Sequence, residues 1–187
     1  FSTIYTDENV PHLMSREGDR KRLISEVYRL VTGEFADTAT INDIGAMITF
    51  AKNMMLSDEE IEALSGSGYD TLRIYREYNL ALSSRSLMDY DDQMVYAAQI
   101  LRRHGEILAY FQEKYTHLCV DEAQDTSRIQ HTILRLLAGR RRNLFLVGDE
   151  DQSIYGFRAA EPGALLRFER DYPCLLYTSP SPRDRTR

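Results

Sequence analysis

The stretch of sequence that decides the fold is Leu118-Cys119-Val120-Asp121-Glu122-Ala123-Gln124-Asp125. A second stretch, residues 144–152, reads Leu-Phe-Leu-Val-Gly-Asp-Glu-Asp-Gln. In each, a short apolar run stops at carboxylates that are followed by a glutamine. Strands of a parallel sheet are buried on both faces and form continuous apolar runs, and their ligands lie beyond the carboxyl ends of the strands. The two stretches therefore predict neighbouring strands whose acidic ends can hold a metal–phosphate complex.

The sequence between these stretches predicts a helix. Asp125 to Ser127 supplies capping side chains, Gly139 is a typical helix end, and Ile129, Ile133, Leu136 and Leu137 form one apolar face. Strand, helix and strand within about 30 residues have the size of a βαβ unit. The strands are therefore expected to be parallel and adjacent, with a right-handed crossover. Cys119, inside the first strand, is expected to be a small buried hydrophobe.

The sequence before residue 85 is predicted to be helical, after a polar and irregular start over 1–19. Apolar residues recur at helical spacing, and Ser57 to Glu60 forms a capping box for a short helix that ends near Leu64. The other helices are expected at about 20–31, 41–55 and 70–84, with two more between 90 and 114. Asp89, Asp91 and Asp92 invite a metal interpretation, but aspartates at a helix start cap backbone N–H groups and complement the dipole.

Composition limits the function classes. The chain has 187 residues, of which 43% are hydrophobic and 28% charged, which is typical of a soluble globular domain. No apolar stretch approaches the roughly 20 residues of a membrane helix. A net charge of −6 argues against whole-surface attraction to nucleic acid but leaves room for a local groove. Two cysteines indicate neither a disulfide framework nor a zinc site, and a cytoplasmic location is expected.

The chemistry expected at the strand ends is that of nucleotide hydrolysis. Mg²⁺ is held by one or two carboxylates plus waters and phosphates, as Asp121 could do, and a neighbouring carboxylate such as Glu122 can deprotonate water. The amide of Gln152 could report the presence of a γ-phosphate. Tyr155 and Phe157 could stack on bases of a single strand; packing of the two rings is the alternative, and the residues alone leave the two evenly balanced.

These residues resemble a known family. Residues 119–127 resemble motif II of superfamily 1 DNA helicases of the UvrD/Rep/PcrA type, and residues 147–158 resemble their motif III. Residues 168–173 resemble the segment that follows, and residues 88–92 resemble the Leu-Asp-Phe-Asp-Asp stretch that precedes motif II. The resemblance implies an α/β fold: a partial RecA-like (P-loop NTPase) parallel sheet with a large helical insertion domain. Residues 1–84 would form the helical insertion subdomain, and residues 85–173 part of the first RecA-like ATP-binding domain.

The resemblance implies DNA-stimulated ATP hydrolysis that drives 3′-to-5′ translocation on single-stranded DNA and unwinding of duplex DNA, with ATP and Mg²⁺ as cofactors. By this resemblance Asp121 would bind Mg²⁺ through water and Glu122 would be the catalytic base. Gln124 would help couple two RecA-like domains, and Gln152 would sense the γ-phosphate.

The resemblance also assigns DNA contacts. Tyr155, Phe157 and Arg158 would touch the single strand. Phe157 stands where relatives often have tryptophan, and Ala159 stands where they more often have glycine. Neither difference removes a charge or a stacking face, though the alanine could stiffen the loop.

Two further readings stay open. The motifs would also fit the helicase part of a helicase–nuclease, or a non-hydrolysing DNA-binding regulator with the same fold. No Gly-x-x-x-x-Gly-Lys-[Ser/Thr] loop occurs in the sequence, so the phosphate-cradling loop and the second RecA-like domain with its arginine finger are expected elsewhere in a longer parent. The fragment itself is therefore expected to be inactive. The oligomeric state stays undetermined.

Residues 174–187 differ in character from everything before them. Residues 174–184 match a one-frame translation of a transposase sequencing adapter without a mismatch. The tail is therefore expected to derive from an adapter, with the natural sequence departing after Pro173. A disordered, proline-rich tail is the alternative.

Overall fold

The computed structural model describes residues 10–64, 68–139 and 143–148. Short strands separate groups of helices along these ranges, and a 3₁₀ turn is also present. The elements are β1 (His12–Leu13), α1 (Glu17–Thr32), α2 (Thr38–Met54), α3 (Asp58–Glu62), α4 (Thr71–Ser84), β2 (Leu87–Met88), α5 (Tyr90–Arg103), α6 (Gly105–Lys114), β3 (Leu118–Val120), the 3₁₀ turn (Ala123–Asp125), α7 (Arg128–Ala138) and β4 (Leu144–Leu146). The fold is thus α/β and mostly helical.

The two strands predicted around α7 are present and paired. β3 and β4 run parallel, with Leu118 opposite Leu144 and Val120 opposite Leu146. This confirms the predicted adjacent, parallel strands. The hand of the crossover stays a prediction.

A second parallel pair was not predicted. His12 in β1 pairs with Leu87 in β2, and Leu13 pairs with Met88. The prediction of an irregular start over residues 1–19 is therefore wrong at residues 12–13, which form a strand. A strand of two residues is too short to show the alternation by which strands are recognised, so only its distant partner reveals it.

Local capping signals explain where the helices begin. Ser57 accepts a hydrogen bond from the backbone N–H of Glu60 at 3.3 Å, and the Glu60 carboxylate accepts one from the N–H of Ser57 at 2.8 Å. This confirms the predicted capping box of α3. The same reciprocal pattern opens α7, where Ser127 pairs with Gln130. Each box satisfies backbone N–H groups that the first turn of a helix leaves unpaired.

The main hydrophobic core lies between α1, α2 and α4. Ile44 and Ile48 of α2 are fully buried, and so are Ile74 and Tyr78 of α4. Helix α2 also contacts α5 and α7, so it connects this core to α5 and to the helix that lies between β3 and β4 in the chain. None of the helices in the described ranges is long and apolar enough to cross a membrane.

One face of the β3–β4 pair is open. Cys119 is exposed, and Phe145 opposite it is 57% exposed, whereas their strand neighbours are half-buried. The prediction that Cys119 is buried is therefore wrong. Successive strand residues point to opposite faces, and in the described part of the chain no element covers the face on which Cys119 and Phe145 lie.

Candidate active site

Backbone hydrogen bonds tie the loop after β3 to the end of β4. The N–H of Val147 donates to the carbonyl of Val120 at 2.8 Å, and the N–H of Ala123 donates to the carbonyl of Val147 at 2.8 Å. The loop that carries Asp121 and Glu122 thus folds against the neighbouring strand end. Both acidic residues are exposed, so their carboxylates are accessible at the carboxyl edge of the sheet.

The chain turns sharply at Glu122. This residue has φ 50° and ψ 43°, in the left-handed region, where a residue other than glycine costs roughly 1–2 kcal/mol. Its N–H donates to Asp121 Oδ1 at 2.9 Å, and its carbonyl accepts from the N–H of Asp125 at 2.9 Å. The strained turn leads directly into the 3₁₀ turn.

Gln124 lies beneath this turn. It is 2% exposed, and its amide Nε2 donates to Glu122 Oε2 at 2.6 Å. Gly148, just after β4, approaches it closely: a Cβ placed on Gly148 would lie 2.7 Å from Gln124 Oε1 and 3.2 Å from the backbone nitrogen of Ala123. Gln124 therefore connects the carboxylate of Glu122 to the end of the neighbouring strand.

The donor set at this edge fits a hard divalent cation. Neither Asp121 nor Glu122 forms an ion pair within the described ranges, and adjacent carboxylates repel each other unless a cation compensates them. No group of three or more His, Cys, Asp or Glu side chains placed to hold a metal forms in the described part of the chain. A cation that takes few protein ligands and keeps water and phosphate oxygens, as Mg²⁺ does, suits this arrangement.

Four of the predicted site residues lie outside the described residues: Gln152, Tyr155, Phe157 and Arg158. The predicted tail at 174–187 lies outside them too. The structure therefore brings together Asp121, Glu122 and Gln124 at the end of β3, beside Gly148 of the β4 end.

A buried polar cluster lies away from this edge. The Lys52 ammonium of α2 lies 2.8 Å from Asp89 Oδ2 and 2.7 Å from Asp92 Oδ1, and the Tyr78 hydroxyl donates to Asp89 Oδ2 at 3.0 Å. Asp89 and Asp92 also form the capping box that opens α5, which confirms the predicted capping role. A buried role for Lys52 was not predicted from the sequence. The feature that indicates this role is the position of Lys52 on the apolar stripe of α2, one helical turn after Ile48.

The two carboxylates of this cluster differ in acidity. Burial disfavours the charged form of both. For Asp89 the Lys52 ammonium and the hydrogen bonds outweigh burial, so the pKa lies below its ordinary value. For Asp92 burial, together with the charge of Asp89, prevails over Lys52, so the pKa is raised. Burial and the Asp89 charge likewise raise the pKa of Tyr78.

A second set of polar contacts extends the cluster to α1. The guanidinium of Arg20 donates to the carbonyl of Gly45 at 3.0 Å and to Thr49 Oγ1 at 2.9 Å. Asp91 accepts from Thr49 Oγ1 at 2.8 Å and from Asn53 Nδ2 at 2.7 Å. The three acidic residues that open α5 are thus all directed to partners on α1, α2 and α4, whereas the acidic residues at the β3 end have no such partners within the described ranges.

Comparison with known proteins now defines the class. The sequence profile of the UvrD/REP helicase N-terminal domain matches residues 4–173. The match covers most of the chain, and the chain belongs to this family. The match ends at Pro173, directly before the predicted tail.

Individual relatives agree with this assignment. A probable DNA helicase II homolog from Rickettsia conorii is 43% identical over 99 residues, which are 53% of this chain and 15% of that protein. The ATP-dependent DNA helicase PcrA of Bacillus subtilis is 38% identical over 128 residues, or 67% of this chain and 17% of that protein. PcrA of Staphylococcus aureus is 39% identical over 117 residues, or 63% and 16%. The resemblance to the UvrD/Rep/PcrA type is confirmed, and the chain spans 15–17% of the length of these relatives.

Proposed function

We propose that this chain is part of an ATP-dependent DNA helicase and that the loop after β3 carries half of its ATP-hydrolysis site. The observation that carries the proposal is the accessible pair Asp121 and Glu122 at the end of β3, held beside the end of β4 by two 2.8 Å backbone hydrogen bonds. Ligands of parallel sheets bind outside the carboxyl ends of the strands. Family membership and relatives described as DNA helicases support the same activity.

Each acidic residue has a distinct role in the proposed site. Asp121, whose Oδ1 accepts only the N–H of Glu122 within the described ranges, directs its carboxylate toward Mg²⁺. Mg²⁺ supplies charge compensation for the phosphates when it is bound. Glu122 accepts a proton from the attacking water, a role for which a carboxylate must lie within hydrogen-bond reach of that water. The accessible position of Glu122 meets that requirement.

The finer parts of the proposal rest on the motif resemblance. Gln152 senses the γ-phosphate, and Tyr155, Phe157 and Arg158 contact single-stranded DNA along which the parent protein moves 3′ to 5′ and unwinds duplex DNA. Residues 1–84 form the helical insertion subdomain. Residues 85–173 belong to the first RecA-like domain.

The decisive experiment uses the full-length parent protein. Glu122→Gln removes the proton acceptor but keeps the shape, so DNA-stimulated ATP turnover should fall by about 10²- to 10⁴-fold while nucleotide binding, measured with a fluorescent ATP analogue, persists. Glu113→Gln is the matched control, because Glu113 is an exposed residue of α6 and should leave turnover unchanged.

Retained turnover in Glu122→Gln would contradict the assignment of the base. A wild-type parent that binds DNA but does not hydrolyse ATP would favour the non-hydrolysing regulator instead. In Asp121→Asn, turnover should require a higher Mg²⁺ concentration for its half-maximal rate, and an unchanged Mg²⁺ dependence would remove Asp121 from the metal site.

A further inference from the structure

Gln124 is a buried polar residue of the 3₁₀ turn that follows Glu122. It is 2% exposed, and its Nε2 donates to Glu122 Oε2 at 2.6 Å. We propose that Gln124 is a positioning residue that orients the Glu122 carboxylate, and that Gly148 is glycine because its missing side chain leaves the room Gln124 needs. The inference rests on the proposed role of Glu122 in hydrolysis.

The backbone at Glu122 makes such support necessary. Its left-handed conformation (φ 50°) is uncommon for a residue with a side chain, and conformations of this kind persist only where surrounding contacts determine them. The long, flexible glutamate would otherwise sample many rotamers at an exposed position. The hydrogen bond from Gln124 holds Oε2 while the residue as a whole stays exposed.

Gly148 limits where Gln124 can lie. A Cβ at Gly148 would be 2.7 Å from Gln124 Oε1, closer than carbon and oxygen atoms approach without a shift. The φ of Gly148 is not in the left-handed region, so its own backbone conformation suits alanine, but the Cβ would also lie 3.2 Å from the backbone nitrogens of Ala123 and Gln124. The flexible amide can move away from a methyl group, but such a movement displaces Nε2 from Glu122. An alanine at this position therefore acts on the base through Gln124.

The link also joins the two strand ends. Ala123, between Glu122 and Gln124, donates its N–H to Val147 at 2.8 Å, directly before Gly148. A displacement of β4 relative to β3 thus changes the room available to Gln124 and, with it, the orientation of Glu122. This makes Gly148 the point at which a movement of the β4 end can influence the base.

The test uses the full-length parent and steady-state kinetics. In Gly148→Ala, kcat for ATP should fall by about 10- to 100-fold, because small misplacements of a reacting group cost factors of that size, with KM for ATP unchanged. Gly105→Ala is the matched control, since a Cβ there meets nothing within 4 Å. Gln124→Met keeps the volume but removes the donor, and should give the same loss of kcat without any steric conflict.

The double variant decides between positioning and general damage. If Gly148→Ala acts through Gln124, it should lower kcat no further in a Gln124→Met background, whereas independent effects would multiply. Should Gly148→Ala fail to fold, Gln124→Met decides alone. Wild-type kcat in Gln124→Met, or multiplying losses in the double variant, would overturn the inference.

The same experiment distinguishes a failure of the positioning role of Gln124 from a failure of the proposed helicase function on which that role rests. A parent whose turnover depends on Glu122 but not on Gln124 overturns the positioning role and leaves the helicase proposal intact. A wild-type parent without ATP turnover overturns both.

Discussion

Lys52→Met tests how much the buried polar cluster contributes to stability. The Lys52 side chain is 2% exposed and lies within 2.8 Å of carboxylate oxygens of both Asp89 and Asp92. Methionine has a similar length and shape, so the substitution removes the charge and the hydrogen bonds but little packing. Removing one partner of a buried ion pair costs about 3–5 kcal/mol. Because two carboxylates lose their cation here, we expect a loss near 5 kcal/mol.

The stability of Lys52→Met should also depend on pH, and the direction of that dependence follows from the pKa values of Asp89 and Asp92. Both aspartates have an ordinary pKa of 3.8, which describes the unfolded chain. Without Lys52, burial raises both folded-state pKa values above 3.8, so the folded variant binds more protons than the unfolded one. Its stability should therefore increase as the pH falls from about 7 toward about 5. In the wild type, Asp89 has a lowered pKa, so the stability that its ionised form contributes is lost only as the pH falls below 3.8.

Urea unfolding followed by circular dichroism measures both effects. Lys21→Met is the matched control, because the Lys21 side chain of α1 is 43% exposed and lies 3.9 Å from Glu17, and ion pairs at the surface contribute about 0–1 kcal/mol. Adding Asp92→Asn to Lys52→Met should restore part of the loss. The reasoning is refuted if Lys52→Met costs no more than Lys21→Met, or if its destabilisation is equal at the two pH values.

Three further substitutions test the cap, the core and the DNA contact. Ser127→Ala should lower the free energy of unfolding by about 1 kcal/mol, since the α7 capping box is lost; an unchanged urea midpoint would contradict this. Ile44→Ala, at a fully buried residue, should cost about 2–5 kcal/mol, whereas Leu30→Ala, at a residue that is 67% exposed, should stay within about 0.5 kcal/mol. Equal urea midpoints for these two would refute the assigned core. In the full-length parent, Phe157→Ala should weaken single-stranded DNA binding by about 1–3 kcal/mol in a fluorescence anisotropy titration; unchanged affinity would indicate that the ring is packed.

The sequence predicted what local rules determine. The capping box at Ser57 and the capping role of Asp89 depend on side chains within three residues of the backbone groups they satisfy, so a short window contains the whole interaction. The β3–α7–β4 unit was predictable for a similar reason: each strand is an apolar run with an abrupt end, and the intervening helix limits how the strands can pair.

What the sequence did not predict depends on distant partners. β1 consists of two residues. Only its pairing with Leu87, more than 70 positions later in the chain, identifies it as a strand. The burial of Lys52 depends on its ion pairs with carboxylates 37 and 40 positions later in the chain. A lysine on an apolar stripe more often extends its ammonium group to solvent. Cys119 was expected to be buried because an apolar strand suggests two covered faces, but coverage is a property of the surrounding layers.

The acidic residues that open α5 and those that follow β3 show how carboxylate side chains acquire different roles. The aspartates at the start of α5 meet Lys52 and Arg20, and their charges are compensated inside the protein. Asp121 and Glu122 meet no cationic side chain in the described ranges, and Glu122 is held instead by a neutral amide from Gln124. A neutral donor orients a carboxylate without neutralising it, which leaves the negative charge available to attract a cation or to accept a proton. The presence of compensating cations, rather than the number of acidic residues, thus distinguishes a stabilising cluster from a site that can bind and react.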